Sequence, residues 1–206
     1  FVLDSRPLRG AMSHGMLASA KELVLFEDHS GILEVDKDAA LGTPFAEVYE
    51  LNDYLLDIEN KSLTHRPDAF GVIGFAREVA GILGLPFQTP DWLTTLDGAV
   101  DDEPLEGVEA PAIVIEDATL SDRFQAVVLA DVNEAATSPL LMQTYLARSG
   151  VRPINASVDV SNYLMLLTGQ PTHAYDYHKV RAIAGNDFTI RVRSAREGEQ
   201  LTLLDG

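Results

Sequence analysis

The densest grouping of residues able to do polar chemistry lies between Arg152 and Asp176, in R-P-I-N-A-S-V-D-V-S-N-Y-L-M-L-L-T-G-Q-P-T-H-A-Y-D. Ser161 and Asn162 stand immediately before the apolar run Tyr163 to Leu167, where a Ser or Asn side chain can accept from the first free backbone N–H groups of a helix. Thr168, Gly169 and Pro171 stop that helix. A helix of about six residues rises about 9 Å, and three or four extended residues beyond Pro171 cover about 10 to 13 Å in the opposite direction. The spacing therefore predicts that His173 returns to the helix start. A hydroxyl, a carboxamide and an imidazole would then surround a helix N-terminus, a place suited to a polar or anionic ligand. A capped helix followed by a turn, with His173 hydrogen-bonded in the core, fits the same spacing, and spacing by itself favours that reading.

Other groups with chemical potential read as structural. His14 has no second His, Asp or Glu at metal-ligand spacing and is expected in an exposed loop. Asp53, Asp57 and Glu59 fall on turns and on the outward face of a strand, as solvated acids. Arg66 and Asp68 flank Pro67 and are expected to tie a loop to its neighbours.

The elements that must carry these residues follow from pattern. Phe1 to Leu25 holds two glycines, a proline and little alternation, like the closing strand and loop of a small β domain. Ser19 with Glu22 forms a capping box for one helical turn near Ala20 to Leu23. Gly31 to Val35 reads as a short strand, Ala46 to Tyr49 as a helical turn, and Tyr54 to Glu59 alternates as a strand. Pro67 opens a first turn, and Phe70 to Leu83 carries Val72, Ile73, Ala76, Val79, Ala80 and Leu83 at helical spacing up to Gly84. Residues 86–111 hold four prolines and the acids Asp101, Asp102 and Glu103 and read as a linker anchored by Trp92. Strands are expected at Ala112 to Glu116 and Phe124 to Val132, a helix at Leu140 to Arg148 closed by Gly150, and strands at Phe188 to Val192 and Leu201 to Leu204. The fold class is α+β, with mixed or antiparallel sheets and packed helices.

The 206 residues are 46% hydrophobic and 23% charged, enough for a core in one large or two small domains. No apolar run approaches the roughly 20 residues of a membrane helix, and no charged segment followed by an apolar one opens the chain, which points to a soluble protein. The absence of cysteine excludes disulfides and thiolate metal sites. A formal net charge of -17 argues against a broad phosphate-binding surface, so any RNA contact is expected to be local or assisted by a partner. Phe1 in place of an initiator Met, and an end at Leu203-Leu204-Asp205-Gly206 as a turn begins, suggest a piece of a longer chain. There is no internal repeat, Walker loop or dinucleotide fingerprint.

Eight motifs in order support more. G-M-L-A-S-A-K-E-L (Gly15 to Leu23), H-S-G-I-L-E-V (His29 to Val35), N-K-S-L-T-H-R-P-D (Asn60 to Asp68), G-F-A-R-E-V-A (Gly74 to Ala80), R-P-I-N (Arg152 to Asn155), V-D-V-S-N-Y (Val158 to Tyr163), G-Q-P-T-H-A-Y-D (Gly169 to Asp176) and L-L-D-G (Leu203 to Gly206) together resemble bacterial phenylalanyl-tRNA synthetase β subunits. The resemblance implies that residues 1–25 are the tail of an OB-type tRNA-binding domain and 29–86 part of a small structural domain. It makes 87–108 a linker and 109–206 the first half of a tRNA-editing domain. It implies a cytoplasmic aminoacyl-tRNA synthetase subunit whose partners are the α subunit, in a heterotetramer of two α and two β chains, and phenylalanine tRNA, with no membrane contact. Such an enzyme attaches phenylalanine to its tRNA using ATP and magnesium, neither of which is expected on this stretch. Its editing domain hydrolyses tyrosine wrongly attached to that tRNA.

Carried over residue by residue, the resemblance places Ser161, Asn162 and His173 in the editing pocket, positioning the aminoacyl ester, the terminal ribose or the attacking water. Leu141, Ala156, Tyr175 and Ala18 depart from the residues usual in such subunits, and Ala156 puts a local hydrogen bond in doubt. The glutamate and the Thr and Ala residues that complete the pocket are expected beyond Gly206, which makes this stretch an incomplete site. The alternative is a non-catalytic scaffold that holds the α subunit and guides tRNA, with a degenerate pocket.

Overall fold

The computed structural model describes residues 3–35, 38–94 and 106–202. Its element order is β1 (Arg6–Leu8), β2 (Ala11–Ser13), α1 (Phe45–Val48), 3-10 turns at Lys61–Leu63 and Pro67–Phe70, α2 (Val72–Leu83), α3 (Asp91–Thr94), β3 (Ala112–Ile115), α4 (Leu140–Arg148), α5 (Ala156–Thr168), α6 (Tyr177–Ala184) and β4 (Thr189–Val192). Helices and small sheets coexist, so the fold is α+β as expected. The chain forms two compact units, Phe1–Pro90 with Asn133–Ala174, and Asp91–Val132 with Tyr175–Gly206.

In the first unit β1 and β2 pair antiparallel across a tight turn, Arg6 facing Ser13 and Leu8 facing Ala11. Arg9 and Gly10 both take positive φ there, 51° and 87°, the conformation that two-residue hairpin turns demand. His14 is exposed, as expected, with Nδ1 2.9 Å from the Ser5 hydroxyl. The Ser19 capping box forms. The Ser19 N–H and hydroxyl both donate to Glu22, at 2.8 and 2.9 Å, and the Glu22 N–H donates back to the Ser19 hydroxyl. These donors hold the Glu22 carboxyl below the usual carboxylate range. Val24 then sits at φ 57° and is 89% exposed. A β-branched residue in the left-handed region crowds its own backbone, and no buried contact compensates it here.

Helix α2 begins at Val72, two residues later than the pattern predicts, because Pro67 leads a separate 3-10 turn. Gly84 ends α2 at φ 64°, as expected. The 3-10 turn lies so close under α2 that a Cβ on Gly74 would stand 1.9 Å from the Asp68 carbonyl oxygen. Arg66 locks this corner. Its Nε and Nη2 donate to the two Asp68 oxygens at 2.9 and 2.8 Å, while Nη1 donates to Glu78 on α2 at 3.0 Å. The predicted tie between loop and neighbours is this fork.

Helices α4 and α5 complete the unit, and α5 packs on both α4 and α2. The predicted bounds of α4 are met, with Leu140, Thr144 and Leu146 buried on its inner side. Tyr145 meets Tyr163 edge-to-face with ring centroids 5.3 Å apart, a favoured aromatic geometry. Beneath them Asp159 is only 1% exposed. Its carboxylate accepts the Ser138 hydroxyl at 2.5 Å and the Ile154 N–H at 2.8 Å. A carboxylate leaves water without ruinous cost when charge-assisted bonds of this kind replace its hydration.

The second unit is smaller. β3 and β4 pair parallel, Ala112 facing Thr189 and Ile115 facing Val192. Between them in sequence lies α6, an element the periodicity does not predict, capped by the Asp176 side chain on the Lys179 N–H and followed by Gly185. Phe188 is buried, with Tyr177 edge-on at 5.6 Å and the Arg181 guanidinium over its ring at 5.2 Å. Arg193 grips Glu199 through two nitrogens at 2.7 Å each. Together with the Arg196 N–H this brings the Glu199 carboxyl down to about 2.

Three predicted strands do not form. Gly31 to Val35, Tyr54 to Glu59 and Phe124 to Val132 are irregular. Alternation marks a segment fit to pair, and pairing needs a neighbour with free N–H and C=O groups, which these segments lack among the described residues. Leu55, Leu56, Val127 and Leu129 are each more than 70% exposed. Trp92, expected as an anchor, lies in α3 and stays 44% exposed. Asp101, Asp102 and Glu103 lie outside the described residues, as does the end of the strand expected at Leu201 to Leu204, whose first two residues are irregular.

Replacing Val24 by Gly is expected to raise unfolding stability by about 1 kcal/mol, the left-handed penalty less the extra freedom of glycine in the unfolded chain. The denaturant midpoint measures it. Asp159→Ala strands the buried Ser138 hydroxyl, removes the acceptor of the Ile154 N–H, and is expected to cost about 1 to 3 kcal/mol in the same assay, with Asp159→Asn losing less. For Glu199 the folded-state carboxyl is depressed, so its linkage to Arg193 is present above the ordinary value of 4.5 and fades as pH falls toward about 2. A carboxyl-carbon NMR titration should find Glu199 still ionised at pH 3 in the folded chain.

Candidate functional site

The proposed cap at Ser161 and Asn162 is not where α5 starts. The helix begins at Ala156, and the Asn155 side chain caps it by accepting from the Val158 N–H at 3.0 Å. Two signals mark that start. Pro153 precedes the cap, and Asp159 supplies an acid in the first turn. The Ala156 N–H donates to the Ala136 carbonyl at 2.9 Å, so the departure at this position leaves the helix start bonded. Ser161 and Asn162 are therefore helix-interior residues, both half-buried. The Ser161 hydroxyl donates to the Val158 carbonyl at 2.8 Å, one turn back. With the helix N-terminus moved to Ala156 to Val158, where the Ala156 and Val158 N–H groups are already bonded, the anion site expected around Ser161 and Asn162 disappears.

The return of the chain after Pro171 does occur, to a different level. Gly169 ends α5 at φ 74°, its N–H bonded to the Met165 carbonyl at 2.8 Å. The Thr172 hydroxyl then donates to the Ser161 carbonyl at 3.3 Å. From Gly169 back to Ser161 the helix rises about 12 Å, which about three extended residues can retrace. A 13-residue helix is too long for the same segment to reach Asn155. His173 follows Thr172 directly and is exposed. The arrangement brings the backbone beside His173 to the level of Ser161, while Asn162 lies a further 100° around the helix.

Loop Pro67–Gly71 presses on the end of this helix. A Cβ on Gly71 would stand 2.3 Å from the Gly169 nitrogen and the Thr168 carbonyl carbon, and one on Gly169 would stand 2.5 Å from the Pro67 carbonyl oxygen. Two backbones meet where only glycine fits.

Two cavities of this unit lie elsewhere. One of about 230 Å³ opens at the start of α5, with Arg152, Asn155, Gln143 and Asp28 in its wall, and another of about 240 Å³ shares Asp28, Thr137 and Gln143 with it. Neither includes Ser161, Asn162 or His173. Asn155 and Asp159, which order this end, are the residues that the spacing argument overlooks. Among the described residues no group of His, Asp and Glu is arranged to hold a metal ion, and no helix is long and apolar enough to cross a membrane.

Comparison with known proteins places this geometry. Residues 120–206 match the family described as B3/4 domain. The whole chain is 38% identical to the phenylalanine–tRNA ligase beta subunit of Yersinia pestis, and 38% identical to that of Vibrio parahaemolyticus, covering 24% of each. The beta subunit of Bordetella pertussis is also 38% identical, over 97% of this chain and 23% of its own length. The chain thus spans about a quarter of the length of these curated relatives. Identity of 38% over the whole length of the chain shows that it belongs to the family of phenylalanine–tRNA ligase beta subunits.

Proposed function

We propose that this chain serves within a phenylalanine–tRNA ligase, and that the second half of α5 with the segment to His173 forms one wall of a site that hydrolyses Tyr-tRNA. The observation that supports the reading is the bond from the Thr172 hydroxyl to the Ser161 carbonyl, which brings the backbone next to His173 to the level of Ser161. The chemistry has a clear need. A pocket shaped for phenylalanine cannot strongly reject a side chain that merely adds a hydroxyl, so a second site must remove the wrong product. On this reading residues 1–25 end an OB-type domain, 29–86 belong to a structural domain, 87–108 link them onward, and 109–206 begin the editing domain. The enzyme is cytoplasmic, pairs two of these subunits with two α subunits, and uses ATP and magnesium at a site outside this stretch.

The roles are those of position. His173, exposed and on an extended segment, orients the ester or the attacking water. Asn162 offers a carboxamide to the terminal ribose. Ser161 contributes less as a donor than spacing implies, because its hydroxyl is already given to Val158. Orientation and polar stabilisation of this kind supply much of a hydrolytic rate without a lone general base. The strongly negative chain binds tRNA weakly by itself, since phosphate affinity depends on Lys and Arg.

One observation favours a scaffold instead: the cavity at the start of α5 and the one at the start of α4 are lined by none of the three residues. The readings separate in the full heteromeric enzyme. Replacing His173 and Asn162 together by Ala is expected to lower Tyr-tRNA hydrolysis at least a hundredfold while phenylalanine transfer to tRNA continues. Unchanged hydrolysis would establish the scaffold.

A further inference from the structure

We infer that the loop Asn60–Gly71, clamped to α2 by Arg66, is the platform that positions the His173 segment, with Arg66 a positioning residue and the Gly71–Gly169 crossing its point of contact. The inference rests on the editing role proposed for His173 and adds to it residues a hundred positions away in sequence.

Three independent features lead there. The loop is rigid at both ends. Asn60 caps the Lys61–Leu63 turn through the Ser62 N–H, and the Arg66 fork binds Asp68 within the loop and Glu78 on α2. These bonds, to Asp68 first and Glu78 second, also raise the Arg66 pKa, so the clamp stays charged throughout the working range. Next, Asp68 is fixed against α2 at Gly74, where no side-chain carbon fits. Finally, the same loop touches the end of α5 backbone to backbone at Gly71 and Gly169, without a compliant side chain between.

Side chains yield by rotating; main chain in contact with main chain does not. Gly169 is the residue whose left-handed turn redirects the chain toward Pro171, Thr172 and His173. A displacement of Gly71 is therefore passed to Gly169, and His173 lies four residues beyond it along an extended segment held by the Thr172 bond to Ser161. Catalytic geometry tolerates little of this, since a misplacement of about 1 Å can lower a rate about a hundredfold. N-K-S-L-T-H-R-P-D and G-Q-P-T-H thus act as one device, although sequence separates them.

The test uses the full enzyme with its α subunit and three variants: His173→Ala, Gly71→Ala and Glu78→Gln. Glu78→Gln weakens one arm of the Arg66 clamp without inserting an atom at the crossing, so it remains informative if Gly71→Ala folds poorly. Expected is a kcat for Tyr-tRNA hydrolysis lowered roughly tenfold or more by Gly71→Ala and a fewfold by Glu78→Gln. KM for Tyr-tRNA and phenylalanine transfer should stay as in the parent; melting temperature should stay so in Glu78→Gln and fall by some degrees in Gly71→Ala, where the new carbon meets main chain. Amide hydrogen exchange at Gln170, Thr172 and His173 should quicken in both. Normal hydrolysis in Gly71→Ala and Glu78→Gln, where His173→Ala has lost it, overturns the platform. So does a loss of every activity together with melting temperature in Glu78→Gln. Normal hydrolysis in His173→Ala refutes the editing role itself, and the platform is then judged on exchange alone: unchanged protection at residues 170–173 in Gly71→Ala overturns it.

Discussion

The first unit depends on a carboxylate removed from water. Asp159 accepts from Ser138 at the entry to α4 and from Ile154 ahead of α5, so one side chain joins the two loops that start the two packed helices. Burying a carboxylate is tolerable only while its oxygens are occupied, which makes the two approaches conditional on each other. The rotational setting of α5 follows. With Asp159 turned inward, Asn162 and Tyr163, three and four residues on, share its face, and Tyr163 meets Tyr145 on α4. Ser161 is turned away from that face, and its carbonyl receives Thr172.

This phase explains how far the sequence carried and where it did not. Helices α2 and α4 were legible because their apolar residues repeat at helical spacing and glycine or proline bounds them. The cap of α5 lies six residues ahead of Ser161, since a Ser-Asn pair before an apolar run imitates a cap and the true cap, Asn155, is followed by Ala-Ser-Val-Asp-Val, in which polar residues interrupt the apolar ones. A buried aspartate hides the periodicity there: the residue facing the core is charged. Helix α6 is not legible although Asp176 and Gly185 bracket it, because eight residues make little more than two turns, too few for a helical period to repeat. As for the candidate residues, the return of the chain toward α5 could be argued from lengths alone, but not its level, which depends on where the helix begins.

The failed strands show a different limit. Tyr54 to Glu59 and Phe124 to Val132 have strand composition, and composition states a preference that only another strand can satisfy. The surface reflects this: Tyr54, Leu55, Leu56, Val127 and Leu129 are each more than 70% exposed. Among the described residues the buried apolar side chains are those of Ala20, Tyr49, Leu140, Leu146 and Phe188. So small an apolar core leaves specific polar contacts, the Asp159 bonds and the Arg66 fork, with an unusual share of the work of fixing geometry.

That balance bears on how a hydrolytic site could be held at all. His173 is exposed and carried on a segment with no regular structure. What restrains the segment is the chain of contacts behind it: Thr172 to the Ser161 carbonyl, Gly169 against Gly71, and the loop of Gly71 against α2 through Arg66. The first link is a single hydroxyl bond; the other two are a backbone contact and a multiply bonded ion, the kinds of contact that keep their length when side chains fluctuate. A polar residue on an irregular segment can therefore be held precisely without a large core, provided the backbone that leads to it is wedged. In α5 the wedge is at the helix end, and the residues that make it are glycines because only they allow the two main chains to meet.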